Sequence, residues 1–162
     1  MTIAKKSLVT GLAIVYNEEK NIETLIHNLG FVDELIIIDS FSTDKTVEII
    51  KSFSHVTLIQ NKFHDYTSQR NFALNHASHN WILFLDADER ITKNLQEEIL
   101  KTIDKKDARD AYYFFRTFMF KGKPLHFSGW QTDKNFRLFK KDKARYVTQI
   151  LVHETLNVNG TI

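Results

Sequence analysis

The chain has 162 residues, 43% of them hydrophobic and 12% aromatic, with a net charge of +2 and no cysteine. That composition excludes a disordered chain, a disulfide framework and a zinc–thiolate site, and the small net charge gives no reason to expect a nucleic-acid partner. No apolar run approaches the ~20 residues of a membrane-spanning helix, and the length predicts one domain that buries roughly 70% of its unfolded surface. Lysines precede a short apolar stretch at the N-terminus, as in a signal peptide. That stretch is rich in Val and Ile and runs into Asn17, Glu18 and Glu19 without a small-residue cleavage site, so residues 8–16, "LVTGLAIVY", read as a first strand of a cytoplasmic protein.

Helical and strand patterns then alternate. Residues 18–30 carry Ile22, Leu25, Ile26 and Leu29 at helical spacing, with Gly30 placed to end the helix. "ELIIID" (34–39) is a short apolar strand, and 42–53 is a helix with Ser42 or Thr43 as its predicted cap. Residues 56–61 form a third strand, 66–77 a third helix, 81–86 a fourth strand, and 92–103 a helix capped by Thr92. From there the chain turns β-rich: a long aromatic strand over 111–120, a turn at 121–124, and a hairpin over 134–147 turning at Lys141–Asp142. The fold class is therefore α/β, a mainly parallel sheet flanked by helices with an antiparallel extension.

In such a sheet, ligands bind beyond the carboxyl ends of the strands. Three of those ends are polar: Asn17 with Glu18 and Glu19, then Asp39, then Asp86 with Asp88 and Glu89 in "WILFLDADER". Acids this crowded repel one another unless something positive joins them. The candidate is a hard cation with oxygen ligands, Mg²⁺ or Mn²⁺, held by one or two carboxylates and completed by diphosphate oxygens. The competing reading is a solvated loop whose acids start a helix, but Thr92 caps that helix better and Asp86 follows directly on a buried strand. Arg70 shares a helix face with Ala73, Leu74 and Ala77. It is either a structural partner of Asp39 or Asp86, or a clamp on an anionic ligand.

These stretches, "GLAIVYNEEKNI", "ELIIIDSFSTDKT", "QRNFALNHASHNWILFLDADE" and "GWQTDKNFRLFKKDKARYVTQILVHE", resemble family 2 glycosyltransferases with the GT-A fold. The nearest likeness is to the bacterial group that builds lipopolysaccharide core and other cell-surface glycans. The resemblance implies a single domain over 1–162, with a nucleotide-sugar-binding half (1–105) and an acceptor-side half (106–162) expected to be incomplete. It implies that Val15, Tyr16, Asn17 and Glu18 line the nucleotide pocket. The uracil ring goes to Asp39, the base or phosphates to Arg70, the ribose to Asp86, and the metal on the diphosphate to Asp88, with Ala87 between the two acids. It makes Asp133 of "GWQTD" the general base and gives His153 and Glu154 of "VHE" a place near the metal or diphosphate.

Two departures stand out. Phe41 occupies a position that is glycine in the usual D-S-G-S-T-D loop, and a left-handed backbone there would strain phenylalanine. Asp133 stands outside the E-D pair that many members use. Without the resemblance, Asp133 reads as a turn residue and His153 as structural.

The implied reaction moves a hexose from a nucleotide-diphospho-sugar, a UDP-sugar by preference, to a hydroxyl of a glycan or lipid-linked saccharide, with inversion. The basic residues Lys134, Arg137, Lys140, Lys141, Lys143 and Arg145 form either a solvated hairpin or a contact with an anionic acceptor or the inner membrane face. For Lys140, Lys141 and Lys143 the hairpin reading is preferred, whereas alternation in "NFRLF" can turn Arg137 toward the cleft. The alternatives are a non-catalytic nucleotide-sugar-binding fragment and a D-x-D phosphatase or nucleotidyltransferase. The phosphatase motif ends a first strand rather than a fourth, and "VYNEEKN" lacks a nucleotidyltransferase's Gly-rich loop.

Overall fold

The structure, a computed structural model, describes residues 6–120, 123–124, 134–150 and 153–162. The predicted alternation is present: β1 (Val9–Val15), α1 (Ile22–Asn28), β2 (Glu34–Asp39), α2 (Thr46–Lys51), β3 (Val56–Gln60), α3 (Tyr66–His76), β4 (Trp81–Phe84) and α4 (Lys93–Ile103). Then come β5 (Ala111–Phe115), β6 (Met119–Phe120), β7 (Lys123–Pro124), β8 (Lys134–Lys140), β9 (Ala144–Ile150) and β10 (His153–Val158). The main sheet has the order β3-β2-β1-β4-β8-β5. Its first four strands are parallel, and β8 runs antiparallel to both β4 and β5.

Side chains alternate between two apolar layers, as the strand period of two requires. Ala13, Leu35, Ile37 and Leu83 join Ile22, Leu25 and Ile26 of α1 and Ile99 and Ile103 of α4. Leu12, Ile36, Ile38 and Phe84 face the other way, onto Ala73 and Leu74 of α3 and onto Tyr146 and Leu156 of β9 and β10. Because both faces are covered, β1, β2 and β4 read as nearly unbroken apolar runs. At the edge where β1 and β2 begin, Glu34 is a polar staple: it accepts hydrogen bonds from the Thr10 hydroxyl (2.6 Å) and the Ser78 hydroxyl (2.6 Å).

Three expectations are corrected. The aromatic strand expected over 111–120 breaks after Phe115, and Met119–Phe120 pairs with Lys123–Pro124 in a small sheet of its own. Residues 134–147 do not form a hairpin ladder: β8 completes the main sheet, whereas β9 turns away after a 3-10 turn at Lys141–Lys143 and pairs with β10 in a sheet of its own. The helix predicted from residue 42 starts at Thr46, and its N-terminus has no side-chain cap bond. Ser42 and Thr43 are spent elsewhere, on bonds to the loop after β1. Thr92 does cap α4, its hydroxyl accepting from the Leu95 N–H at 3.2 Å.

Asp110, just ahead of β5, closes the far edge of the sheet. It accepts from Lys140 Nζ (2.8 Å) on β8 and from the Thr161 N–H (2.8 Å). The Lys140 hydrogen bond, followed by that of the Thr161 backbone, holds its carboxyl down at about 2. A depressed acid adds stability above its unfolded value of ~3.9 and loses it as pH falls through the folded value. The thermal midpoint, followed by circular dichroism, is expected to drop between about pH 4 and pH 2, and Asp110→Asn to flatten that drop while lowering the midpoint at pH 7.

Candidate functional site

The strand order reverses between β1 and β4, where successive strands are added on opposite sides, and open α/β sheets hold ligands at such a switch point. A cavity of about 830 Å³ lies there. Val15, Tyr16 and Glu18 after β1, Ser40 after β2, Asp86, Ala87 and Asp88 after β4, and Arg70 of α3 all line it. Residues from four separate chain segments thus meet, as the parallel sheet predicted. Two expected residues do not line it. Asp39 is buried behind the wall, and Asn17, which is exposed, bonds to the neighbouring loop that shapes it. Phe63 and Tyr66, in edge-to-face contact with ring centroids 5.0 Å apart, do line it and escaped the sequence analysis. They sit in a polar loop and at a helix start, where no periodicity marks them.

Side chains of each loop hold the backbone of the next. The Asn17 N–H donates to Ser42 Oγ (2.8 Å), the Thr43 N–H to Asn17 Oδ1 (2.8 Å), the Glu18 N–H to Thr46 Oγ1 (2.8 Å) and the Lys45 N–H to Glu19 Oε2 (3.1 Å). Asp39 is fully buried, and its carboxylate accepts from Ser42 and from Gln60 Nε2 (2.9 Å). Gln69, also fully buried, donates to Ser40 Oγ at 3.0 Å and fixes that wall from α3. Two residues of these loops have left-handed backbones, Asn17 (φ 55°) and Phe41 (φ 63°). Asparagine accepts this conformation readily, but an exposed phenylalanine does not, so the glycine-to-phenylalanine departure stores strain at the rim.

Two of the three crowded acids of "DADE", Asp86 and Glu89, have positive partners within the chain. Asp86 Oδ1 accepts from Arg70 Nη2 at 2.7 Å and Oδ2 from Arg137 Nη2 at 2.6 Å. Arg137 also reaches Glu89 Oε1 at 2.7 Å. Burial pushes the Asp86 carboxyl up, but the charges of Arg70 and Arg137 outweigh it and hold the group below the usual carboxylate range. Arg70 is both things the sequence left open: it pairs with Asp86 and it lines the cavity. Its guanidinium lies 4.8 Å from the centre of the Phe84 ring and 5.3 Å from that of Tyr146. Arg90 clamps the loop from outside, donating to the carbonyls of Ala87 (2.7 Å), Glu89 (2.6 Å) and Asn21 (2.8 Å).

This arrangement decides which acid can serve a metal. Asp86 is committed to two arginines, whereas Asp88 is exposed at the cavity. Among the described residues no group of three or more His, Asp or Glu side chains is placed to hold a metal ion. The residues fit a cation that takes one protein carboxylate and draws its other ligands from a diphosphate and water, and they do not fit a cage made by the protein alone. Asp133 and the side chains of His153 and Glu154 lie outside the described residues. Of the basic residues, Lys140 pairs with Asp110, Lys141 donates to the Ala77 carbonyl (2.6 Å) and Arg145 to Asn75 Oδ1 (2.8 Å), so these three are used within the fold rather than in the solvated hairpin expected.

The two acids of the motif are expected to separate in a stability measurement. Asp86→Ala takes a carboxylate from two buried guanidinium groups, of which Arg137 keeps Glu89, and should cost about 2 kcal/mol, less than the 3–5 typical of a broken buried pair because the Asp86 side chain is 32% exposed. Asp88→Ala should stay within about 0.5 kcal/mol of the parent in the same urea titration. Phe41→Gly is expected to raise the thermal midpoint by relieving up to about 1 kcal/mol of strain, and Phe41→Ala, which also removes the ring, should not.

Residues 12–155 match the family model of glycosyl transferase family 2. The lipopolysaccharide core biosynthesis glycosyltransferase LpsC of Rhizobium meliloti (strain 1021) is 27% identical over 158 residues, covering 95% of this chain and 58% of that protein. A glycosyltransferase of Rickettsia bellii (strain RML369-C) is 32% identical over 161 residues, 95% of this chain and 54% of its own length. The chain therefore spans just over half the length of the curated relatives it matches. Among solved structures, S. aureus TarS 1–349 in complex with UDP aligns with a TM-score of 0.61 at 22% identity, over 90% of this chain and 43% of that one, which establishes a shared fold. With the sheet order, the cavity at its switch point and the matched motifs in agreement, the chain has a GT-A fold and belongs to glycosyl transferase family 2.

Proposed function

We propose that this chain is the catalytic region of an inverting hexosyltransferase that uses a UDP-sugar and acts on a hydroxyl of a lipopolysaccharide or other cell-surface glycan. The single observation that carries the reading is the cavity at the β1/β4 switch point, where the cationic Arg70 and the exposed carboxylate of Asp88 share one wall. An arginine at that wall suits a diphosphate, and a carboxylate beside it suits the divalent ion, Mg²⁺ or Mn²⁺, that accompanies one. The uridine preference and the glycan acceptor rest on the motif resemblance, and the acceptor also on the lipopolysaccharide core relative. Residues 1–105 form the donor side and 106–162 the acceptor side. No helix among the described residues is long and apolar enough to cross a membrane, and the proposed setting is the cytoplasm or the inner face of the membrane.

The residues divide the work by charge. Val15, Tyr16 and Glu18 form one side of the donor pocket, and Asn17 and Asp39 hold its loops. Asp39 acts on the base through Ser40 and the loop it organises, since its own carboxylate is closed off by Ser42 and Gln60. Arg70 faces the diphosphate, and Asp86 keeps that guanidinium in place beside the ribose. Asp88 holds the divalent ion, which when bound supplies positive charge for the leaving diphosphate. The acceptor oxygen forms a bond to the anomeric carbon as the carbon–oxygen bond to the diphosphate breaks and its electron pair leaves with the nucleotide. Asp133 takes the acceptor proton, for which it needs to be ionised and within about 3 Å. One displacement inverts the centre, so an α-linked donor gives a β-linked product. His153 and Glu154 are assigned to the metal or diphosphate on the resemblance alone.

UDP-glucose with Mn²⁺ is expected to raise the thermal midpoint of the parent more than UDP-glucose alone. Asp88→Ala should lose that metal-dependent increment while melting like the parent without ligand. An equal metal response in both proteins would overturn the assignment of Asp88, and no response to any of UDP-, GDP- and dTDP-sugars would overturn the donor cavity.

A further inference from the structure

Arg90 follows directly on "DADE" and is not among the residues that line the cavity. It is exposed, and an exposed arginine ordinarily leaves its guanidinium to water. Here the guanidinium is spent on backbone. Nη1 donates to the Ala87 carbonyl (2.7 Å) and the Glu89 carbonyl (2.6 Å), and Nη2 to the Asn21 carbonyl (2.8 Å). Ala87 and Glu89 are the chain neighbours of Asp88, so one nitrogen gathers the carbonyls on both sides of that residue. The same turn is closed from within by the Asp86 N–H on Glu89 Oε2 (3.0 Å) and the Glu89 N–H on the Asp86 carbonyl (3.0 Å). The third carbonyl belongs to another part of the wall. Asn21 stands at the start of α1, lines the cavity, and donates from Nδ2 to Glu18 Oε2 at 2.8 Å. Arg90 thus ties the segment that carries Asp88 to the segment that carries Glu18.

The carboxylates of Asp88 and Glu18 both attract this guanidinium, yet its hydrogen bonds end on carbonyls and leave the Asp88 oxygens open. A carboxylate on a loose loop must be ordered when a metal binds, and a loop already fixed escapes that entropic cost. We infer that Arg90 is a positioning residue for the donor site: by fixing the backbone around Asp88 against the start of α1, it presents that carboxylate to the divalent ion of a metal–nucleoside diphosphate. The inference rests on the reading of Asp88 as the metal's carboxylate. It carries a sign of its own. Acting as a charge, Arg90 would repel a divalent ion beside it, and its removal would strengthen metal binding. Acting as a clamp, it holds the ligand in place, and its removal weakens metal binding.

The test is calorimetric titration of the whole chain with UDP, with and without Mn²⁺, and the readout is the factor by which Mn²⁺ tightens UDP. Arg90→Met keeps the apolar stem and removes the donors. It is expected to lower that factor about ten-fold or abolish it, while the metal-free UDP dissociation constant stays within about two-fold of the parent's. Arg90→Lys keeps the charge but brings a single nitrogen to three carbonyls, and it should fall between the parent and Arg90→Met. A role in stability alone would lower the thermal midpoint and leave the factor as in the parent, and a role through charge would enlarge the factor in Arg90→Met. Either result overturns the inference, with the metal reading of Asp88 intact. If Mn²⁺ does not tighten UDP on the parent, the metal reading of Asp88 falls and the inference falls with it.

Discussion

The structure turns on the Asp86 carboxylate. Two arginines that are nearly buried, Arg70 on α3 and Arg137 on β8, meet on its two oxygens. Neither guanidinium can discard its charge, so each requires an acid once water is removed. Asp86 meets that need for both, and in doing so joins the end of β4 to a helix on one face of the sheet and to the antiparallel strand next to it. The aromatic faces of Phe84 and Tyr146 complete the seat of Arg70. Burial alone would raise the Asp86 carboxyl, and only the paired cations keep it ionised in this position.

This hub divides the acids of the motif into different kinds of group. Asp86 and Glu89 are engaged by arginines, and their charge is used inside the protein. Asp88, two residues after Asp86, faces open space in the cavity. The same wall therefore carries both a guanidinium and an exposed carboxylate.

Rigidity of the rim comes from hydrogen bonds between loops rather than from helix caps. Neither α1 nor α2 has a side-chain cap bond, although Ser42, Thr43 and Asp44 stand close by. Ser42 and Asp44 accept from the N–H groups of Asn17 and Glu19, and Asn17 in turn accepts from Thr43. Burial works against the Asp44 carboxylate, yet the hydrogen bonds it receives hold its carboxyl below the usual range. The left-handed backbones of Asn17 and Phe41 fall within this lattice, and it is the lattice that sustains the strained one.

Read as sequence alone, the chain determined its layers and the edge at which function gathers. The apolar runs of β1, β2 and β4 and the Ile22, Leu25, Ile26 and Leu29 stripe follow from periodicity, a local property that neighbouring residues set among themselves. The strain at Phe41 was legible only through the resemblance, which puts glycine at that position, and the left-handed backbone there bears the expectation out. What the sequence could not decide was pairing over distance. Arg137 is 51 residues from Asp86, and Gln69 is 29 from Ser40. The parting of β8 from β9 also depends on partners elsewhere in the chain, since β4 and β5 take β8 and β10 takes β9. A charge carries no record of the charge it will meet. Only folding, by excluding water from the space between them, made Asp86 a structural centre and left Asp88 exposed at the cavity.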